Sequence, residues 1–291
     1  MLLAFVLFTV QAYSQSNYYH PADWLTEQQE LAGVKGDVKG IETKIYAPDD
    51  NDAIGELLQM DYYEWDESDR IYRWEYQDFK LDIQFIQMYT YFDVDDYRIN
   101  KREHFNAAGN LVESTVYDYD LTHEDMVKRI HITEYDEDNP ETIYREFMID
   151  IELDDAGVRR KDVIYRPDGT VRTEVEVNYN DIGLISSKKR FRDNGDWVWT
   201  DSIEYTPLLR KHRMLKIRPD KLNGGQKEMA TQFVYDDALQ LTALRVGETE
   251  MQYAYEYDAR GNWVVKKTFR LFDGAQQLYT ITERDIRYEE E

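Results

Sequence analysis

The sequence predicts an all-β protein: an antiparallel meander of consecutive hairpins forming an open twisted or rolled, solenoid-like sheet, after one short N-terminal helix. Two observations lead to this prediction. A five-residue turn frame recurs along the chain, and apolar and polar residues alternate with a period of two between its copies. The expected organisation is a signal peptide at residues 1–14, a helical lead-in at 15–37 and a single hairpin domain at 38–291.

The N-terminal segment has the pattern of a secretory signal peptide. An apolar run from Met1 to Val10 is followed by the small residues Ala12 and Ser14, which would occupy the −3 and −1 positions of a cut after Ser14. The run is too short to cross a bilayer, which takes about 20 apolar residues. We therefore expect an exported protein without a membrane span.

A helix is predicted only over residues 22–32. Pro21 lies near its start and Gly33 follows its end, which is the usual placement of these residues at helix termini.

The recurring frame begins with an apolar or aromatic residue. The second residue is usually Asp or Asn, the third and fourth are variable, and the fifth is Gly. This frame predicts a type I turn followed by a G1 bulge, in which the fifth residue adopts the left-handed conformation that glycine tolerates best. The structural glycines of the frame are Gly109, Gly157, Gly169, Gly183, Gly195 and Gly261, and further copies place Asp69, Asn139 and Leu239 at this position. Asp and Asn suit the conformation, whereas Leu does not.

Alternation is clearest at residues 171–179, where valine, threonine and tyrosine side chains would share one face and charged side chains the other. The other predicted strands are residues 41–47, 81–92, 111–119, 141–149, 158–165, 184–192, 197–205, 229–235, 251–257, 263–271 and 278–288. Residues 206–227, with Pro207, Pro219, Gly224 and Gly225, are predicted to form one long loop.

The segment Tyr257-Asp258-Ala259-Arg260-Gly261-Asn262 and the strand after it resemble the YD repeat of Rhs-type surface proteins. The opening of the domain, residues 31–41, is similar to small exported proteins of Bacteroidota with degenerate YD-like hairpins. The resemblance implies a spiral β shell with no catalytic residue in the repeat. It also implies a location in the periplasm, at the cell surface or outside a Gram-negative bacterium.

Charge and composition exclude several classes of function. The formal net charge of −24 makes nucleic acid an unfavourable partner, because phosphate contacts require clustered cations. The chain has no cysteine, so its stability depends on the core alone. The acidity is typical of a solvated surface.

No cofactor, metal ion or catalytic residue is predicted. The five histidines lack metal-ligand spacing, and the acidic segment from Asp49 to Glu56 does not fit an EF-hand, which needs a bidentate Glu at its twelfth position. Serine hydrolase and nucleotide-binding motifs are missing from the sequence. Paired carboxylates for glycoside hydrolysis stay open, because only their separation in space would be diagnostic.

Trp197 and Trp199 are the candidate ligand-binding residues. Two positions apart on one strand, they are expected to project from the same face and, if exposed, to form a platform for sugar rings. Packing in the core is the alternative. The leading hypothesis is a non-enzymatic envelope or surface protein that binds a glycan or another protein, and the alternative is a polysaccharide hydrolase or lyase. An outer-membrane barrel is disfavoured, because strands such as residues 184–191 are too charged for lipid.

Overall fold

The computed structural model describes residue 34 and residues 37–92, 98–120, 126–137, 139, 141–220, 224–272 and 274–289. The predicted signal peptide and the predicted helix at residues 22–32 lie outside these ranges. The described residues form strands, turns and loops without any helix. None of them belongs to a helix long and apolar enough to cross a membrane.

Eighteen strands make up the described chain. They are β1 (Val38–Pro48), β2 (Ile54–Trp65), β3 (Ile71–Asp78), β4 (Ile83–Tyr91), β5 (Ile99–Asn106), β6 (Leu111–Asp120), β7 (Met126–Tyr135), β8 (Ile143–Leu153), β9 (Arg159–Tyr165), β10 (Val171–Tyr179), β11 (Ile185–Arg192), β12 (Trp197–Tyr205), β13 (Lys211–Pro219), β14 (Gln226–Tyr235), β15 (Leu241–Val246), β16 (Thr249–Tyr257), β17 (Trp263–Phe272) and β18 (Ala275–Tyr288).

The sheet is a closed barrel. Each strand pairs antiparallel with the next along the chain, and β1 also pairs with β18. In that last pairing Ile41 lies opposite Ile286 and Thr43 lies opposite Arg284. The predicted open or rolled, solenoid-like sheet is therefore wrong, as is a spiral shell, because the first and last strands satisfy each other's backbone groups and leave no sheet edge.

The hairpin turns share one hydrogen-bonding pattern. In the turn that starts at Asp258, the N–H of Asp258 donates to the carbonyl of Asn262, and the N–H of Gly261 donates back to the carbonyl of Asp258. The Asp258 carboxylate also accepts from the backbone N–H groups of Arg260 and Asn262. The same backbone pair closes the turns that begin at Asp66, Asn106, Asp154, Arg166, Asn180, Arg192, Thr206 and Asp236. This explains the preference for Asp or Asn at the second position of the frame, because the side chain satisfies backbone donors that the turn leaves open.

The fifth position of these turns is left-handed. The six glycines of the frame have φ between 77° and 82°. Asp69 and Leu239 have φ of 57° and 62°, and Leu209 adopts the same conformation with φ of 62°. At the copy that contains Asn139, the N–H of Asp136 donates to Thr142 instead, which makes a longer loop.

The predicted long loop at residues 206–227 is wrong. Residues 206–210 form a turn of the common type without glycine, and β13 follows directly. The predicted strands also omit β2, β3, β5, β7 and β15. In β2 and β3, apolar or aromatic residues occupy both faces, so that the period of two is obscured.

Tyrosine hydroxyls brace one end of the barrel. The Tyr91 hydroxyl donates to the carbonyl of Ile71 at 2.7 Å, and the Tyr119 hydroxyl donates to that of Ile99 at 2.9 Å. Tyr205 makes the same bond to Ile185, also at 2.9 Å. In each case a tyrosine near the end of one strand satisfies the first carbonyl of the strand before it. These tyrosines thus join paired strands at this end by a hydrogen bond as well as by packing.

The frame presents its aromatic residue to opposite faces at the two ends of the barrel. At one end Tyr257 pairs with Trp263, whose ring contacts the inward-facing Arg284. At the other end Phe191 pairs with Trp197, which lies on the outer face. The reversal follows from antiparallel geometry. The chain advances in one direction round the barrel, so a turn at one end has the opposite orientation to a turn at the other end, and its first residue points to the opposite face.

The left-handed position can be tested with paired substitutions. Gly109→Val should lower the free energy of unfolding by at least ~1–2 kcal/mol, because φ is 82° and an added Cβ would meet no atom within 4 Å, so the cost is backbone strain alone. Ala108→Val, at the exposed neighbouring position, should change it by less than about 0.5 kcal/mol. Leu209→Asn should gain about 0.5–1 kcal/mol, since Leu209 is strained and 56% exposed. Urea midpoints measure all three, and equal stability of the two valine variants would contradict the turn geometry.

Candidate functional site

The two faces of the barrel wall differ in burial. Residues directly opposite each other on paired strands share a face, so the register assigns every strand residue to one side. Ile41, Ile132 and Val177 lie on the same side and are 0%, 2% and 1% exposed. Most of the large side chains that are shielded to this extent lie on this side, as expected for the enclosed side of a closed sheet, so this side is the inner face.

The outer face carries a lattice of ion pairs. Arg129 and Asp150 pair across β7 and β8, and Arg287 on β18 pairs with Glu64 at 2.9 Å. Further outer pairs are Lys44–Glu42, Arg73–Glu75, Lys101–Glu103, Lys161–Glu152 and Lys267–Glu256. Charges therefore occupy the middle of the strands as well as their ends.

Inner arginines in the first half of the barrel have carboxylate partners. Arg102 donates to Glu113 at 2.6 Å, and both side chains are buried. Arg159 is paired in the same way with Asp162 on the same strand. The surrounding inner residues are mostly apolar or aromatic, such as Ile149 at 2% exposure, with buried polar side chains such as Gln87 and Thr115 among them. This half of the inner face is a packed core in which the buried arginines are paired with carboxylates.

The inner face of β11–β18 is basic. Besides the exposed Arg218 and Lys227, its cations include Lys188, Arg190, Lys216, Lys266, Arg270 and Arg284. We call this set the basic wall. Asp201 is the one carboxylate on this face in the described parts of β11–β18. The members of the wall are partly exposed, although they lie on an enclosed face. Interior space must therefore adjoin them.

Arg284 lies at the centre of an aromatic cluster. Its guanidinium carbon is 3.5 Å from the centroid of the Trp263 ring, and the Lys266 ammonium is 5.4 Å from the same centroid. Tyr255 lies 6.1 Å from Trp263, centroid to centroid. Burial lowers the pKa of Arg284 to about 10, while Tyr63 and Tyr255 oppose this shift. The Nε atoms of Arg284 and Arg270 are buried and have no hydrogen-bond partner.

Asp201 is only weakly compensated by the cations around it. Its carboxylate is 4.0 Å from the Lys216 ammonium, at the outer limit of an ion pair, and its Oδ1 is buried without a hydrogen-bond partner. Burial raises the pKa of Asp201, and Lys216, Arg218 and Lys188 offset part of that shift. The raised pKa shows that, despite the ion pair, desolvation outweighs the attraction of its neighbours.

Trp197 and Trp199 do not form a pair on one face. Trp199 lies opposite Arg190 on the inner face, and the register shifts before Trp197. The Trp197 indole N–H donates to the Thr200 hydroxyl at 2.9 Å, and Thr200 lies opposite Lys189 on the outer face. The bulge that follows the turn separates the two indoles, and both are partly exposed. Their role in ligand binding stays a prediction.

The acidic segment at Asp49 and the histidine His104 have structural roles within their own surroundings. The Asp49 carboxylate accepts from the backbone N–H groups of Asn51 and Ala53, and so caps its own turn. His104 is largely buried against Phe85, and burial lowers its pKa to about 4. In the described part of the chain, no three His, Cys, Asp or Glu side chains are grouped as a metal site.

Sequence reasoning missed the basic wall. Lys188 and Arg190, two residues apart on β11, carried the signal, as did Lys266 and Arg270 on β17. These residues fit equally well with a solvated surface, because charge alone does not tell the inner from the outer side. Each turn bulge also shifts the alternation, so that only the register identifies the inner face.

No known family model and no curated protein matches the sequence. Among solved structures, a porin-like protein from Bacteroides uniformis has a TM-score of 0.43 and 13% identity, over 86% of this chain and 96% of that chain. A porin-like protein from Bacteroides vulgatus has a TM-score of 0.33 and 11% identity, over 88% and 99% of the two chains. The Tc holotoxin pore of Photorhabdus luminescens has a TM-score of 0.35 and 14% identity, over 83% of this chain and 14% of that chain.

Asp201 provides a test of the electrostatics of the inner face. Because the folded protein holds the Asp201 proton more tightly than the unfolded chain, the carboxylate destabilises the barrel at pH values above its raised pKa. Asp201→Asn should therefore raise the urea midpoint at pH 7, and the gain should disappear near pH 4, the ordinary range of the group. Asp285→Asn, on the exposed outer side of β18, is the control and should change stability little at either pH. A loss of stability at pH 7 for Asp201→Asn would show that the ion pair with Lys216 dominates.

Proposed function

We propose that the chain is an exported, non-enzymatic protein of the Gram-negative envelope that binds a carbohydrate on the inner face of its barrel. The observation that carries the proposal is the partly exposed basic and aromatic surface of β11–β18 on the enclosed side of the sheet. Cations and aromatic rings together offer hydrogen-bond donors and flat apolar faces, which suit sugars.

The outer face supports a barrel surrounded by water. A charged side chain facing lipid costs ~2–4 kcal/mol near the middle of a bilayer, and an outer-membrane barrel presents an apolar band instead. Here the outer side of the strands carries ion pairs such as Arg129–Asp150 and Lys101–Glu103. We therefore place the protein in the periplasm, at the cell surface or outside the cell, without a membrane span.

The carboxylates of the inner face favour binding over hydrolysis. Glycoside hydrolysis needs two carboxyl groups on either side of the scissile bond. Glu113 and Asp162 are each engaged by an arginine, and Asp61 accepts from the indole of Trp74 and the amide of Gln59. Asp201, whose pKa is raised, has cations around it in the described structure and no second carboxylate.

A carbohydrate fits the geometry better than a folded protein does. Trp199, Tyr253 and Tyr255 offer partly exposed rings on the inner face, and the apolar faces of sugar rings stack on such side chains. A folded partner would meet only the outer face, which bears the acidic excess of the chain.

Location can be tested by fractionation. The protein should be released from cells by osmotic shock or a salt wash without detergent, because its outer face is charged. Its intact mass should correspond to a chain that begins at Gln15. Retention in the membrane pellet until detergent is added would contradict the water-facing surface, and a mass that includes Met1 would contradict the predicted cleavage.

Binding on the inner face can be tested with the two tryptophans. On a glycan array, Trp199→Ala should weaken the wild-type signal by about tenfold, the effect of losing one stacked ring. Trp197→Ala is the matched control, because that indole lies on the outer face, and it should leave the signal unchanged. Thermal unfolding of both variants separates lost binding from lost folding. Equal signals from two folded variants would contradict binding at the inner face.

A further inference from the structure

We propose that the carbohydrate is acidic, and that its carboxylate or sulfate group binds between Arg284 and Lys266 beside Trp263. This inference rests on the proposed function and adds the chemical class of the ligand and the residues that recognise it. It concerns the part of the basic wall around Arg284, where the guanidinium lies against Trp263 with Lys266 nearby.

Arg284 differs from the other buried arginines of the inner face. Arg102 and Arg159 have carboxylate partners within hydrogen-bond distance, supplied by Glu113 and Asp162. No carboxylate in the described chain lies within ion-pair distance of Arg284, whose electrostatic neighbours are the hydroxyls of Tyr63 and Tyr255. A largely buried guanidinium without a counter-charge is costly, and an anionic ligand would supply the missing charge.

The contact with Trp263 offsets only part of that cost. The ring faces the guanidinium at 3.5 Å, which is a favourable cation–π geometry. Stacking leaves the edge of a guanidinium free, and the edge carries the N–H donors that bind carboxylate or sulfate. The Arg284 Nε is itself buried without a protein acceptor, whereas its Nη groups are not buried and have no protein acceptor in the described structure, so they are the donors that a ligand can reach. Trp263 therefore fixes the plane of the guanidinium and leaves its donors to a ligand.

Two neighbouring cations extend the site along β17. Lys266 lies opposite Thr282, two residues before Arg284 on β18, and its ammonium is within 6.0 Å of the Tyr253 ring centroid. Arg270, further along the same strand, also has a buried Nε without a partner. An acidic oligosaccharide could place one charged group against Arg284 and Lys266 and a second towards Arg270. Successive charges along a polymer match successive cations along a strand.

The charge distribution of the chain makes the inner face the favourable place for such a ligand. The protein as a whole has a net charge of −24, which repels acidic polymers from its outer surface. The basic wall makes the local charge positive on an enclosed surface, where salt screens charges poorly. Binding should therefore be specific to the interior and should weaken as salt rises.

The proposal is tested by isothermal titration calorimetry of the mature chain with three probes. They are an oligomer of four galacturonate units, the neutral galactose oligomer of the same length, and inorganic sulfate. The wild type should bind the galacturonate oligomer, and Arg284→Gln should weaken this binding by about tenfold or more, as expected for losing a charge-assisted hydrogen bond. Arg287→Gln is the matched control, because Arg287 lies on the same strand, faces outward and pairs with Glu64. It should change the affinity by less than about twofold.

Each other outcome is decisive. Equal affinity of the wild type for the neutral and acidic oligomers would overturn this inference and leave carbohydrate binding intact, whereas failure to bind either would overturn both proposals. If sulfate bound as tightly as the oligomer, the site would be one for free oxyanions, and the proposal that the ligand is a saccharide would be overturned. Should Arg284→Gln fail to fold, Lys266→Gln gives the same test, and unchanged affinity in that variant would contradict the site.

Discussion

The pairing of β1 with β18 is the constraint on which the rest of the structure depends. It joins segments at opposite ends of the described chain, with Ile41 against Ile286 and Lys44 against Glu283. Without it the sheet would have two free edges and no enclosed face, and the burial of Ile41, which is fully shielded, would be lost. Because this contact is the most distant in sequence, it pays the largest loop-closure entropy, so we expect it to form late in folding.

Closure also brings two different inner surfaces together in one barrel. In the first half of the barrel the inner side chains are apolar or are paired charges such as Arg102–Glu113, and they pack to low exposure. In β11–β18 the inner face carries the partly covered cations of the basic wall beside buried threonines such as Thr268 and Thr282. The first half provides the hydrophobic stabilisation, and this allows the second half to keep cations such as Arg284 that contribute nothing to a dry core.

Local features of this fold could be predicted from the sequence, and long-range features could not. The turn frame is encoded within five residues, so the positions of Gly109 and Gly261 in left-handed turns follow from residue type alone. The turn at residues 206–210 escaped prediction because Leu209 occupies a conformation that its side chain disfavours. Closure of the barrel could not be predicted, because it depends on pairing between β1 and β18. No local sequence pattern shows whether a terminal strand pairs with one neighbour or with two.

The candidate site was less predictable than the fold. Trp197 and Trp199 are two residues apart and would share a face in a regular strand, but the bulge after Gly195 separates them. Arg284 has no sequence pattern of its own. Its environment is created by Trp263 on the neighbouring strand and by the absence of a carboxylate opposite it in the described structure, and both are properties of the register.

The reversal of the turn frame between the two ends of the barrel bears on how such a protein evolves. Gain or loss of one strand would reverse the direction of every later strand. The inner and outer residues of those strands would then be exchanged. Gain or loss of two neighbouring strands, with one turn from each end, preserves both the antiparallel closure and the assignment of faces. The tyrosine bonds follow the same two-strand interval, since Tyr91 and Tyr119 each brace the strand before their own. A strand pair is therefore the smallest unit whose duplication or deletion would change the circumference of the barrel while leaving the remaining interior intact.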